Sequence, residues 1–209
     1  LGLAILILFL TFELDKSKKV NPLVLLGLGI VEAIVFQFGV VVAISVSIIY
    51  RILSYRRNDQ PALRNVIWFG LGGLPVLLYQ YNAIMTDPVL SQWNAQNQTP
   101  APPVWDLIIA LSPAFLCLLV KIFKSRKEIL TNQPLLLAWA LGSVILAYLP
   151  FALQRRFLAG VYIPVTLLGI LGIAAIAGGK KKRMILISSM VIFLSIISNV
   201  VVLTGGMSA

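Results

Sequence analysis

One apolar run, Pro22 to Leu53, constrains this chain more than any other feature. Glu32 is its one charged residue and Gln37 its one amide before Arg51 in its last turn, and cations flank it on both sides. As a single helix its 32 residues would extend roughly 48 Å, against a hydrocarbon core of ~30 Å. It is too long for one crossing and too short for two. Lys and Arg gather in cytoplasmic loops, yet Lys16, Lys18 and Lys19 precede the run while Arg51, Arg56, Arg57 and Arg64 lie at or beyond its end. A single crossing would strand one of those clusters outside. The run is therefore expected to be a broken or re-entrant helix hairpin, with its tip near Gln37, Phe38 and Gly39 on the outer side. Irregular backbone at membrane depth is tolerated where it is buried in protein or lines a cavity, so the hairpin should border one.

Composition sets the solvent. Hydrophobic residues make up 59% of the chain and charged residues 11%, whereas a soluble domain carries about a quarter charged residues. In hydrocarbon every backbone N–H and C=O needs an internal partner, which leaves helices or a closed barrel, and long unbroken apolar runs exclude the alternating pattern of a barrel. The expected fold is all-α: a polytopic integral membrane helix bundle in the cell membrane, one transmembrane domain over residues 1–209. The apolar runs are Leu1 to Phe12, Pro22 to Leu53, Val66 to Tyr81, Trp105 to Val120, Pro134 to Leu149, Gly160 to Ala177 and Met184 to Leu203. The stretch Leu1 to Leu10 lacks the basic flank and the cleavage site of a signal peptide. It reads as part of a helix, and the chain as a piece of a longer polypeptide.

With the hairpin tip outside, the other connections follow in register. Lys121, Lys124, Arg126 and Lys127 fall inside, as do Lys180, Lys181, Lys182 and Arg183, while an outer loop over 82–104 holds no Lys or Arg. Fifteen of the seventeen basic residues are then cytoplasmic. The net charge of +10 is accounted for by topology and by anionic lipid head groups, which makes membrane lipids the expected partners and nucleic acid an unneeded one. The chain has no histidine and one cysteine, Cys117. Haem held by His, His-ligated zinc and a His general base are excluded from these residues, Cys117 reads as a small apolar filler, and no metal or cofactor is expected.

The two basic residues left outside are adjacent, Arg155 and Arg156, in the short connection Pro150 to Ala159. Two guanidiniums at the outer boundary, against the usual charge bias, form a fork suited to phosphate or carboxylate. Glu32 is an intramembrane acid, costly and expected to face the protein interior, with Arg155 or Arg156 as its expected partner. The outer segment carries Trp93, Gln96 and Asn97 among other amides, aromatics and prolines. Such groups suit a glycan or a lipid head group, and interfacial Trp and Tyr also serve as anchors. Gln37 and Gln154 complete the candidate cavity. The glycine pairs Gly27 with Gly29, Gly70 with Gly72 and Gly73, and Gly169 with Gly172 are expected to allow close helix packing.

The stretch Tyr148-Leu-Pro-Phe-Ala-Leu-Gln-Arg-Arg-Phe-Leu-Ala-Gly-Val-Tyr-Ile-Pro164 resembles the arginine-aromatic, proline-containing helix start found late in polytopic GT-C glycosyltransferases. It looks most like GT-C-like membrane proteins of green non-sulfur bacteria, in which a segment like Asp87-Pro88 to Pro100 precedes a Gln-Arg-Arg-Phe turn. Paired half-length helices with an outward tip are also similar, with Gln37 standing where members often carry Lys. The resemblance implies transfer of a sugar from a polyprenyl-phosphate donor on the outer face. It gives Arg155 and Arg156 the donor phosphate, and it places the catalytic acid in an earlier outer loop, before Leu1. Two other functions fit the residues: a transporter or flippase using the broken hairpin and Glu32, and a non-catalytic membrane subunit working with other subunits.

Overall fold

A computed structural model describes residues 1–14, 20–54, 63–150 and 153–207. All regular structure among them is helical. By length and composition one helix is apolar enough to cross a membrane, or two if a bent pair counts as a single span. Lys16, Lys18, Lys19, Arg56 and Arg57, which carry part of the expected charge pattern, lie outside the described residues, as do the side chains of Arg126 and Lys127. The chain divides into two compact units, residues 1–101 with 138–160, and 102–137 with 161–209.

The first unit is built on α1 (Gly2–Leu14), α2 (Pro22–Leu53) and α3 (Leu63–Thr86). Asn21 starts α2, its side chain accepting from Leu23 N at 3.0 Å, with Pro22 at the first helical position. The helix is broken at Phe36, whose φ of −153° and ψ of 80° are not helical. The break lies one residue before the expected tip. Its effect is visible at Gly73, where an added Cβ would lie 2.9 Å from Val40 Cγ1 and 3.3 Å from Gly29 O. In an unbroken helix residues 29 and 40 would stand about 16 Å apart. The two arms therefore fold sharply toward each other over the same turn of α3.

Absent side chains make that approach possible. A Cβ on Gly29 would meet Phe69 O and one on Gly72 would meet Leu26 O. Gly70 lies near Ile44, whereas Gly27 meets nothing. The expected pairing of Gly27 with Gly29 thus holds for Gly29 alone. Buried residues recur along each arm at helical spacing, as Leu25, Gly29, Glu32 and Ala33, then Val40, Ala43 and Ser47. α1 runs beside the second arm, because a Cβ on Gly2 would strike Phe36 and Glu13 lies within electrostatic reach of Arg51. Phe9 of α1 stacks on Phe69 of α3 with centroids 3.9 Å apart.

The expected loop over 82–104 is mostly helical. α3 continues to Thr86, and α4 (Pro88–Gln96) begins at once behind it. The cause is local: Asp87 Oδ1 accepts from Val89 N at 2.8 Å and Leu90 N at 3.1 Å, with Pro88 at the first helical position. This is a complete N-cap, so within the segment Asp87 and residues 97–103 are what lies outside the helices.

The second unit contains α5 (Val104–Leu111), α6 (Ala114–Asn132), α8 (Tyr162–Ala177) and α9 (Lys181–Met207), while α7 (Pro134–Ala147) spans the boundary between the units. The expected single segment Trp105 to Val120 is instead α5 and the start of α6, bent by 93° where Ser112 and Pro113 interrupt the helix. Beyond it α6 stays helical through the basic stretch, with Lys121 Nζ donating to Glu128 Oε2 at 2.6 Å. α6 packs on α8 through glycines, a Cβ on Gly169 falling 2.8 Å from Ala114 O and one on Gly172 meeting Cys117 O. Cys117 is buried in that contact as an unpaired thiol. Gly178 and Gly179 end α8 with φ of 57° and 78°, a left-handed stop that glycine adopts without steric cost, and Lys181 opens α9 three residues before the expected start at Met184.

Candidate functional site

Arg155 and Arg156 stand on a short 3-10 turn, Gln154–Leu158, within the first unit. Three hydrogen bonds fix this turn. Arg155 N donates to Thr99 O at 3.1 Å, Ala101 N donates to Gln154 Oε1 at 2.8 Å, and Gln154 Nε2 donates to Leu149 O at 2.7 Å. The stretch 99–101 is thus clipped to the turn from both sides. Gln154 uses both ends of its amide on backbone, which makes it a strut and leaves it little capacity for a cavity ligand. Phe151 and Ala152, inside the expected connection, lie outside the described residues.

The broken helix supports the turn from below. Phe157 is buried, with its ring edge-on to Phe38 at 5.2 Å. The Arg156 guanidinium lies over the same Phe38 ring, 5.5 Å from its centroid. Phe36 completes the group, 6.0 Å from Phe38. A cation over an aromatic face gains roughly 0.5–1 kcal/mol at an exposed site, enough to bias the rotamer of Arg156 without withdrawing its donors from solvent. Both arginines are exposed. Neither guanidinium has a carboxylate partner among the described residues.

The expected partnership with Glu32 is therefore not made. Glu32 is fully buried between the arms of α2, and neither of its carboxyl oxygens has a hydrogen-bond partner. Its Oε1 occupies the space that a Cβ on Gly39 would fill. The break at Phe36 turns the carboxyl inward against Gly39 while Phe38 carries Arg156 on its open face, which separates the two charges.

The remaining candidates divide. Asn97 closes α4, its Nδ2 donating to Trp93 O at 2.9 Å, so its amide is occupied by a helix end. Trp93 and Gln96 are exposed on α4, Gln37 is half-buried beside the tip, and the side chains of all three make no hydrogen bond among the described residues. They remain available, but no contact joins them to the arginine turn.

Sequence reasoning missed Phe38 as the platform of the site, Phe157 as its anchor, and Thr99, whose hydroxyl is buried without a partner beside the clip. The adjacency of Phe157 to Arg156 was a usable signal. The distance in sequence from Thr99 to Arg155 gave none. No group of three or more Asp, Glu, Cys or His among the described residues could hold a metal. No protein-family model, curated protein or solved structure matches this chain.

Proposed function

We propose that this chain is a multi-pass membrane protein whose Arg155 and Arg156 bind the phosphate of a lipid-linked sugar at the outer face, as the carboxy-terminal transmembrane part of a GT-C-type glycosyltransferase. The observation that carries the reading is a pair of exposed guanidiniums on a pinned turn, without an acid partner among the described residues, one of them poised over Phe38. A departing lipid phosphate develops charge, and preorganised donors stabilise such charge more in the transition state than in the ground state. Arg155 and Arg156 would supply that stabilisation, with the donor sugar held nearby. The apolar helices α1, α2, α7 and α8 support the membrane setting by composition. The catalytic acid belongs, by resemblance, to an earlier loop.

The test uses vesicles of phosphatidylcholine doped with undecaprenyl phosphate or with neutral undecaprenol. Charge-assisted hydrogen bonds contribute about 1.5–3 kcal/mol, so Arg155→Ala with Arg156→Ala should weaken binding to the phosphate vesicles at least about tenfold. Undecaprenol vesicles should bind both proteins equally. Undiminished phosphate binding by the double variant would remove the proposal.

A second reading, a lipid transporter or flippase, draws support from one specific observation, the buried and unpartnered Glu32 at the fold of a broken helix. It requires the reconstituted protein to move undecaprenyl phosphate between leaflets and Glu32→Gln to stop that movement. Leaflet exchange no faster than in empty vesicles rules it out.

A further inference from the structure

Away from the arginine turn, about 20 Å along α2 from Phe38, three polar side chains from three helices are each buried without a partner. Phe9 and Phe69 stack, and α1 and α3 run in opposite directions, since α1 follows the second arm of α2 while Val40 lies against Gly73 and Ile44 against Gly70. One turn onward on α1 is Glu13, and one turn back on α3 is Asn65. These positions repeat the faces that carry the two rings, which sets Glu13 opposite Asn65. Arg51, near the end of α2, reaches Glu13 electrostatically, and Ser54 follows it by one turn as the C-cap of that helix. Glu13 is 3% exposed, Asn65 5% and Ser54 1%. Glu13 Oε1 and Oε2, Asn65 Oδ1 and Ser54 Oγ all lack a hydrogen-bond partner.

Buried polar atoms in native proteins are satisfied, and unsatisfied ones call for a water, an ion or a ligand. The group is one-sided, since every unpartnered atom is an oxygen acceptor. Among the unpartnered atoms only the Ser54 hydroxyl can donate, and the Glu13 carboxylate would repel an anion. A single water carries too few hydrogens to serve all of these oxygens. A hard cation takes carboxylate, amide and hydroxyl oxygens together. The charge is limited, because Glu13 is the one carboxylate there among the described residues and Arg51 offsets part of it. A divalent ion would leave positive charge uncompensated in a buried place.

We propose that Glu13, Asn65 and Ser54 form a binding site for a small monovalent cation, of the size of Na+, where the ends of α1 and α2 meet the start of α3. The site is independent of the arginine turn and of the substrate assigned to it. Filling it ties three helices of the first unit together, so occupancy should raise the stability of that unit.

The experiment takes the full chain in nanodiscs, with NaCl, KCl or choline chloride at equal ionic strength. Thermal stability and binding of radiolabelled Na+ are both read. Saturable Na+ binding is expected, with a Tm in NaCl above that in choline chloride. Glu13→Gln should abolish the binding, and Asn65→Val should weaken it at least about tenfold. Wild-type protein that binds no radiolabelled Na+ overturns the proposal without reference to any variant. So does a Tm that follows ionic strength regardless of the cation, which would leave only a Glu13–Arg51 ion pair.

Discussion

Gln154 decides how Arg155 and Arg156 are presented. Its amide joins Leu149 O to Ala101 N, so Gln154→Leu removes a donor and an acceptor at once and leaves both backbone groups without partners. The expected cost is about 1–3 kcal/mol, visible as a lower Tm. It should also appear as weaker binding of undecaprenyl phosphate vesicles, although Gln154 touches no ligand. Unchanged phosphate binding in that variant would show that the arginines orient themselves without the strut. Arg155 and Arg156 stand out in the sequence because they break the charge bias expected of the other basic clusters. The task of Gln154 was not, because its partner Ala101 is 53 residues away and an amide looks the same whether it meets a ligand or a backbone. Glu32 departs from its expected pairing for a related reason. Sequence places it near the outer end of an arm, but only the break at Phe36 determines that its carboxyl turns toward Gly39.

The same contrast holds among elements. Boundaries of apolar helices follow from composition, and the limits of α2 match the apolar run at both ends because Asn21 and Pro22 cap its start. Helices that carry polar residues were harder to see. The segment that forms α4 has the polar composition of a loop, with amides from Gln92 to Gln96, although Asp87 and Pro88 form a helix-start signal. Asp87→Ala should destabilise α4 by about 1 kcal/mol, read as faster hydrogen exchange over residues 88–96 with the rest of the first unit unchanged. The glycines give a paired test of α2 on α3. A side chain at Gly72 would run into Leu26 O, whereas one at Gly27 meets open space. Gly72→Val should cost about 1–3 kcal/mol through displaced backbone, while Gly27→Ala should be neutral or gain roughly 0.5–1 kcal/mol from a better helix former. Equal Tm changes at the two positions would contradict the packing described for α2 and α3.

For the whole chain, the strongest sequence signal is the separation of charge from apolar length, and it supports a bilayer as the surrounding solvent. The same runs that name the helices leave their bends unstated. Pro22 to Leu53 folds at Phe36 without proline, and the segment from Val104 turns by 93° at Ser112 and Pro113. Such bends depend on which neighbour receives the freed backbone groups, a property of packing that no periodicity records. On the proposed topology the α4 end of the first unit, with the arginine turn, faces outward while the start of α3 faces inward. Cysteine accessibility tests it most directly, in a Cys117→Ala background within sealed right-side-out vesicles. Gln96→Cys and Arg64→Cys both place the probe on an exposed residue, at opposite ends of the path through α3 and α4. An impermeant maleimide should label position 96 from outside and reach position 64 only after the vesicles are opened. Labelling of 64 from outside with 96 protected would contradict the topology and the outward phosphate site built on it.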